Sequence, residues 1–185
     1  MCDAGADKDN EENSQNPLAA ASLNGHLEVV RFLGEAGADK DRGTENGTTA
    51  LGDASLNGHL DVVRFLCEAG ADKDIVTHNL HPLITASLCG HLDVARFLCD
   101  AGADKDKEKN SETPLITASL EGHLDVVRFL CKAGADKDKA VKGWTPLIAA
   151  SRRGYLELVQ FLCEAGADKD KAVEGWTPLL SLIHI

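Results

Sequence analysis

Two short motifs recur in fixed register, and they constrain this chain more than any other feature. Gly-His-Leu begins at Gly25, Gly58, Gly90 and Gly122 and returns as Gly154-Tyr155-Leu156, at spacings of 33, 32, 32 and 32 residues. GADKD begins at Gly5, Gly37, Gly70, Gly102, Gly134 and Gly166, and follows each glycine of the first motif by 12 residues. A period of this length marks stacked supersecondary units, each too small to bury its own apolar face.

Between the markers every unit carries the same physical instructions: Thr or a substitute, Pro-Leu, a seven-residue apolar segment, glycine, then a longer amphipathic segment that ends at GADKD. The order predicts helix, turn, helix and loop. In the fourth unit Thr113 can accept first-turn amide hydrogens, and Pro114 sits where its missing N–H costs nothing. Gly122 supplies a left-handed residue to end the first helix, and Asp125 places a carboxylate at the positive end of the second, three residues before Arg128. Leu124, Val126, Val127, Phe129, Leu130 and Cys131 are too many apolar residues for one face, as suits a helix packed from two sides.

The fourth unit, TPLITASLEGHLDVVRFLCKAGADKDK, resembles the ankyrin repeat, whose pattern runs TPLH, two alanines, GH, a valine-leucine run and GAD. The resemblance spans nearly the whole chain and implies an all-α fold, an elongated right-handed-curving solenoid of antiparallel helix pairs with short β-turn-like fingers. Repeats are expected at 16–48, 49–80, 81–112, 113–144 and 145–176, with partial ones at 1–15 and 177–185. The family's TPLH histidine is replaced by Ala19, Gly52, Ile84, Ile116, Ile148 and Leu180, so apolar packing is expected where its hydrogen bonds would be. Met1-Cys2-Asp3-Ala4-Gly5 aligns with Leu98-Cys99-Asp100-Ala101-Gly102, the end of a unit, and no polar capping unit is recognisable at either end. The sequence is therefore expected to be part of a longer array, or to carry in LLSLIHI a tail that is not native to it.

The second unit is the least regular. Ala50 replaces proline, Gly52 costs roughly 1 kcal/mol of helix propensity, and Asp53 stands where other units have Ala or Thr. Burying an unpaired carboxylate is expensive, so Asp53 is expected to turn toward solvent and the unit to be locally weak.

Ser87, His91 and Asp93 lie close together in sequence, but the trio recurs at Ser55, His59, Asp61 and at Ser119, His123, Asp125. An active site needs one convergent constellation, so no catalytic residue is assigned and the histidines are read as anchors of the inter-helix turn. Cys67, Cys99, Cys131 and Cys163 hold one position in successive units. Stacking should set them about 8–10 Å apart, too far for a disulfide or a shared zinc ion, which suits a reducing compartment. Cys2 and Cys89 fall outside that row and are the candidates for exposure. GADKD lacks the pattern of a phosphate or calcium loop and reads as a solvated turn whose Asp and Lys rows partly neutralise one another. No cofactor and no metal is expected.

A formal net charge of -11 argues against nucleic acid, no run approaches the ~18 apolar residues of a membrane span, and the N-terminus lacks a signal peptide's regions. An intracellular protein, cytoplasmic or nuclear, is expected. The resemblance implies recognition of a protein partner by the concave surface of fingers and first helices. Trp144, Trp176, Arg152, Arg153 and Tyr155 are the candidate contacts, because Trp, Tyr and Arg dominate binding hot spots; alternatively each Trp braces a neighbouring finger. A targeting or autoinhibitory segment of a larger enzyme and a passive spacer are the other functional readings. A monomer is expected unless exposed repeat ends associate.

Overall fold

The computed structural model describes residues 16–44, 47–75, 81–108, 110 and 112–171. Among them ten helices pair in chain order: α1 (Pro17–Leu23) with α2 (Leu27–Glu35), α3 (Ala50–Leu56) with α4 (Leu60–Glu68), α5 (Pro82–Leu88) with α6 (Leu92–Asp100), α7 (Pro114–Glu121) with α8 (Leu124–Lys132), and α9 (Pro146–Arg153) with α10 (Leu156–Glu164). No strand occurs among the described residues, and an isolated bridge joins Val141 and Trp144. First helices pack side by side in one layer and second helices in another, so the fold is an all-α solenoid.

Each first helix starts at a side-chain cap. The Thr49, Thr113 and Thr145 hydroxyls accept from the amides of Gly52, Ile116 and Ile148 at 3.2 Å, and Asn16 Oδ1 accepts from Leu18 and Ala19 at 2.8 and 3.3 Å. The second helices have no side-chain cap; their first turns carry Glu28, Asp61, Asp93, Asp125 or Glu157 instead, where an anion is favoured. Repeated columns make one continuous core, among them Leu18, Leu51, Leu83, Leu115 and Leu147 from the first helices and Leu66, Leu98, Leu130 and Leu162 from the second. The Ala of each described GADKD belongs to the same core. Val29 and Phe32, whose counterparts in later units are covered, are about half exposed at 48% and 53%.

The histidines do more than anchor their own turns. His59 lies over Gly25, His91 over Gly58 and His123 over Gly90, and each Nε2–H donates to the last leucine carbonyl of the preceding first helix: Leu23 at 3.1 Å, Leu56 at 3.1 Å and Leu88 at 2.9 Å. The ring thus joins two units. Tyr155 lies over Gly122 in the same way.

A second tie comes from the Arg-Phe pair within α2, α4, α6 and α8, and from Phe161 of α10. Arg31, Arg64, Arg96 and Arg128 hold their guanidinium carbons 5.5, 4.8, 5.0 and 5.3 Å from the ring centres of Phe65, Phe97, Phe129 and Phe161, always one unit ahead. Arg128 also reaches Glu157 at 3.7 Å, so its partners lie in the next unit rather than at Asp125.

The GADKD loops form a hydrogen-bonded ladder, a stronger role than a solvated turn. The first Asp of each described copy accepts from the amide of its second Asp, as Asp72 does from Asp74 at 2.9 Å. The second Asp accepts in turn from the first-Asp amide of the next unit: Asp41 from Asp72, Asp74 from Asp104, Asp106 from Asp136 and Asp138 from Asp168, at 2.8–2.9 Å. Lys139 and Lys171 add bonds to the carbonyls of Asp106 and Asp138.

Gly90 has φ +72°, and a methyl group there would meet His123 Nδ1 at 2.6 Å; Gly102 has φ +90° with nothing within 4 Å. Gly102→Ala therefore carries backbone strain alone, about 1–2 kcal/mol, whereas Gly90→Ala also displaces the inter-unit ring. Urea melts should show the larger loss for Gly90→Ala, and equal losses would deny the histidine contact a part in stability.

Candidate partner-binding site

The finger before α9 is a tight turn. Val141 and Trp144 exchange backbone bonds at 2.9 and 3.0 Å, with Lys142 and Gly143 at φ 44° and 85° between them. Two left-handed central residues are the hairpin-turn geometry, easy for Gly143 and tolerated by Lys142. The turn lays the Trp144 indole against Leu120 and a buried cluster of Ile116, Val141 and Ala149. Ile116 stands where the ankyrin pattern has its TPLH histidine, and the expected apolar packing is found there.

Arg152 is two turns along α9 from the finger. Helical side chains slope toward the N-terminus, and its guanidinium carbon lies 4.5 Å from the centre of the Trp144 ring. Arg153 sits 3.8 Å from Glu121 across the inter-unit gap, with both side chains about half exposed. Leu120, Trp144, Arg152 and Arg153 line a cavity of about 390 Å³. At the corresponding positions of earlier first helices, Leu23 and Leu88 are 42% and 40% exposed, so an apolar row leads toward the two arginines.

Of the five residues predicted from sequence, three therefore converge. Tyr155 does not join them: it follows the far end of α9 and occupies the histidine row over Gly122. Trp176 lies outside the described residues. Trp144 packs on the buried cluster of its finger, as the bracing reading expects, and Arg152 lies over its ring.

Asp53 corrects the expectation that it would face solvent. It is 6% exposed, and its Oδ2 accepts from the Thr48 hydroxyl at 3.0 Å, which itself lies 2.8 Å from Thr44 Oγ1. Helix phase turns the residue inward, and Thr48 offsets part of the cost. Burial still dominates and raises its pKa from 3.8 to about 6, against the lowering effect of the Thr48 bond.

His81 is a functional-looking group that the motif reading passed over as a substitute for Thr. It caps α5, accepting from the Ile84 amide through Nδ1 at 3.4 Å, and Nε2 lies 3.4 Å from Asp74 Oδ1, a long contact. The ring is 1% exposed, and burial lowers its pKa against the raising effect of Asp74. Its neighbours in the GADKD ladder and its cap role make it structural.

Among the described residues no three His, Cys, Asp or Glu side chains are placed to hold a metal ion, and no helix is long and apolar enough to cross a membrane. Cys67, Cys99, Cys131 and Cys163 are unbridged and half-buried, and burial pushes the Cys67 and Cys99 thiols up to about 11. Cys89 is exposed with its pKa also raised, by burial first and then by Glu121; Cys2 lies outside the described residues.

Paired short helices stacked through shared columns define a helical-repeat solenoid. The description "Ankyrin repeats (3 copies)" matches residues 1–77, 76–141 and 137–183, and the chain belongs to the ankyrin repeat family. The crystal structure of the human ASB11 ankyrin repeat domain is similar, with a TM-score of 0.82 and 29% identity over 91% of this chain and 77% of that one. A comparison with curated proteins found no match. Ankyrin repeats generally mediate protein–protein interaction and are typically non-catalytic.

Two pH responses follow. For Asp53 the folded pKa of about 6 exceeds the unfolded 3.8, so stability falls as pH rises through 6. The shift is worth about 3 kcal/mol above that pH, less about 1 kcal/mol for the lost Thr48 bond. Asp53→Ala should thus stabilise the chain near neutral pH and above, and less in mild acid; a gain independent of pH would refute the buried carboxylate. His81 has the opposite sign. Its folded pKa lies below 6.5, so the stability it contributes is lost as pH falls through that range. In His81→Thr, melting should lose part of its acid sensitivity below pH 6.5, and an unaltered profile would rule the ring out as its source.

Proposed function

We propose that this chain is a protein-interaction scaffold that holds a partner on the surface formed by its fingers and first helices, with Trp144, Arg152 and Arg153 at the centre of contact. The carrying observation is the convergence of one indole and two guanidinium groups on one cavity beside Leu120. Hot spots are enriched in Trp and Arg and cluster in such partly closed, apolar-floored pockets.

The division of labour within each unit supports the reading. Glycine, histidine, the Arg-Phe pair and GADKD are occupied in joining units. The side chains of the finger preceding Thr and of the end of the first helix take no part in those recurring ties, and they differ from unit to unit: Trp144, Arg152 and Arg153 have Glu112, Leu120 and Glu121 as counterparts. Recognition can vary there without unstacking the array.

Partners recovered by proximity labelling can be re-measured against purified chain. The double variant Trp144→Ala with Arg153→Ala should weaken capture by at least about tenfold, with the helix signal retained at the assay temperature. Unchanged capture by a folded double variant would move the binding surface elsewhere.

A further inference from the structure

We infer that the residue before a first-helix cap and the fourth residue of that helix form a matched pair that sets the pose of the finger, with Asp53 and Thr117 as positioning residues. This goes beyond the proposed binding surface, because it concerns how a finger is held and not what the finger touches.

Backbone geometry brings the two positions together. The caps Thr49, Thr113 and Thr145 share one conformation, with φ of -115°, -115° and -112° and ψ of 162°, 163° and 162°. The residue before the cap then reaches the one five places on, whatever side chains they carry. In the second and fourth units the pair is hydrogen-bonded at the same length: Thr48 Oγ1 donates to Asp53 Oδ2 at 3.0 Å, and Thr117 Oγ1 donates to Glu112 Oε2 at 3.0 Å.

The chemistry is reversed between those two units. In the second, the finger supplies the hydroxyl and the helix the carboxylate; in the fourth, the finger supplies the carboxylate and the helix the hydroxyl. In the unit of α9 neither member is polar, and Trp144 packs on the cluster that holds Ala149. Polar meets polar and apolar meets apolar in these three units, although neither position keeps its residue type.

A helix hydroxyl has another acceptor within reach, so its choice is informative. Thr85 of α5 gives its proton to the His81 carbonyl at 2.7 Å. Thr117 lies 3.0 Å from both the Thr113 carbonyl and Glu112, and a carboxylate is the stronger acceptor. Asp53 and Thr117 are 6% and 1% exposed, so a finger that failed to match either one would leave a buried polar group unpaired, which is costly. Fingers are therefore not exchangeable singly. A glutamate in the second finger would set two carboxylates together with no proton donor between them.

The tie at Asp53 holds a closed loop rather than a lone side chain. Thr48 Oγ1 is 2.8 Å from Thr44 Oγ1, the Thr44 amide donates to the Thr48 carbonyl at 2.8 Å, and the Gly47 amide donates to the Thr44 carbonyl at 2.8 Å.

A double-mutant cycle in the full chain tests this, in buffer alkaline enough to ionise Asp53. Thr48→Glu alone should lower the folding equilibrium constant measured in urea by at least about tenfold. In an Asp53→Thr background, which recreates the pairing of Glu112 with Thr117, the same substitution should cost less than about threefold. Hydrogen exchange reads the finger itself. The Thr44 amide, referred to the Val63 amide of α4, should exchange faster in Thr48→Glu and regain its protection in the double variant. If Thr48→Glu does not fold, Thr117→Asp, costly alone and rescued by Glu112→Thr, supplies the same cycle. Additive effects in the cycle, or recovered stability without recovered Thr44 protection, would overturn the inference. No partner enters these measurements, so that result would leave the binding surface standing.

Discussion

A nine-residue helix with apolar residues on more than one side has no stable arrangement alone, and here every second helix is in that position. Val126, Val127 and Leu130 of α8 are fully buried where α6, α7 and α10 pack around it. Isolated helices this short are marginal in water even with the best propensities, so neighbour packing is the condition on which caps, turns and fingers all rest. The ties that fix neighbour to neighbour are correspondingly specific: a ring over a glycine, a guanidinium over a phenyl, and an aspartate carboxylate on the next unit's amide.

These three ties lie at different places on each unit. The ring contact sits at the inter-helix turn, the cation–π contact on the second helix, and the aspartate ladder at the loop that follows. Each unit is thereby pinned along its length, and relative rotation of two units would break at least one tie. What is left over is the finger and the exposed side of the first helix. In the last described pair that remainder holds Trp144, Arg152 and Arg153, whose contacts with Ile116 and Glu121 of the preceding unit are not among the recurring ties.

Much of this was legible in the sequence. Thr113, Pro114 and Gly122 carry local chemistry that acts the same wherever the unit sits, and the structure places cap, first position and left-handed C-cap there. What escaped were contacts made across the period. Arg128 looked like a partner for Asp125 because both are on one helix, yet its phenyl partner is 33 residues away. Asp53 was expected outside because its hydroxyl donor, Thr48, belongs to the finger rather than the helix. His81 was hidden among the threonines by position. Tyr155 was grouped with Arg153 by adjacency, although a turn after α9 sends it into the histidine row. The recurring Arg-Phe dipeptide was the available signal for the cation–π series, and its regularity needed only to be read across units rather than within one.

The direction of that series has a consequence for how such arrays lengthen. Each arginine reaches forward to the phenylalanine of the following unit, and in α10 the residue at that position is Gln160. A tandem gene duplication of any unit that carries the arginine recreates the same junction on both sides, so the new copy arrives already compatible with its neighbours. Duplication of the unit containing α10 would instead set an uncharged amide over the next aromatic ring and forfeit the attraction. Growth by copying is therefore favoured in the body of the array and penalised after α10, a polarity written into one substitution.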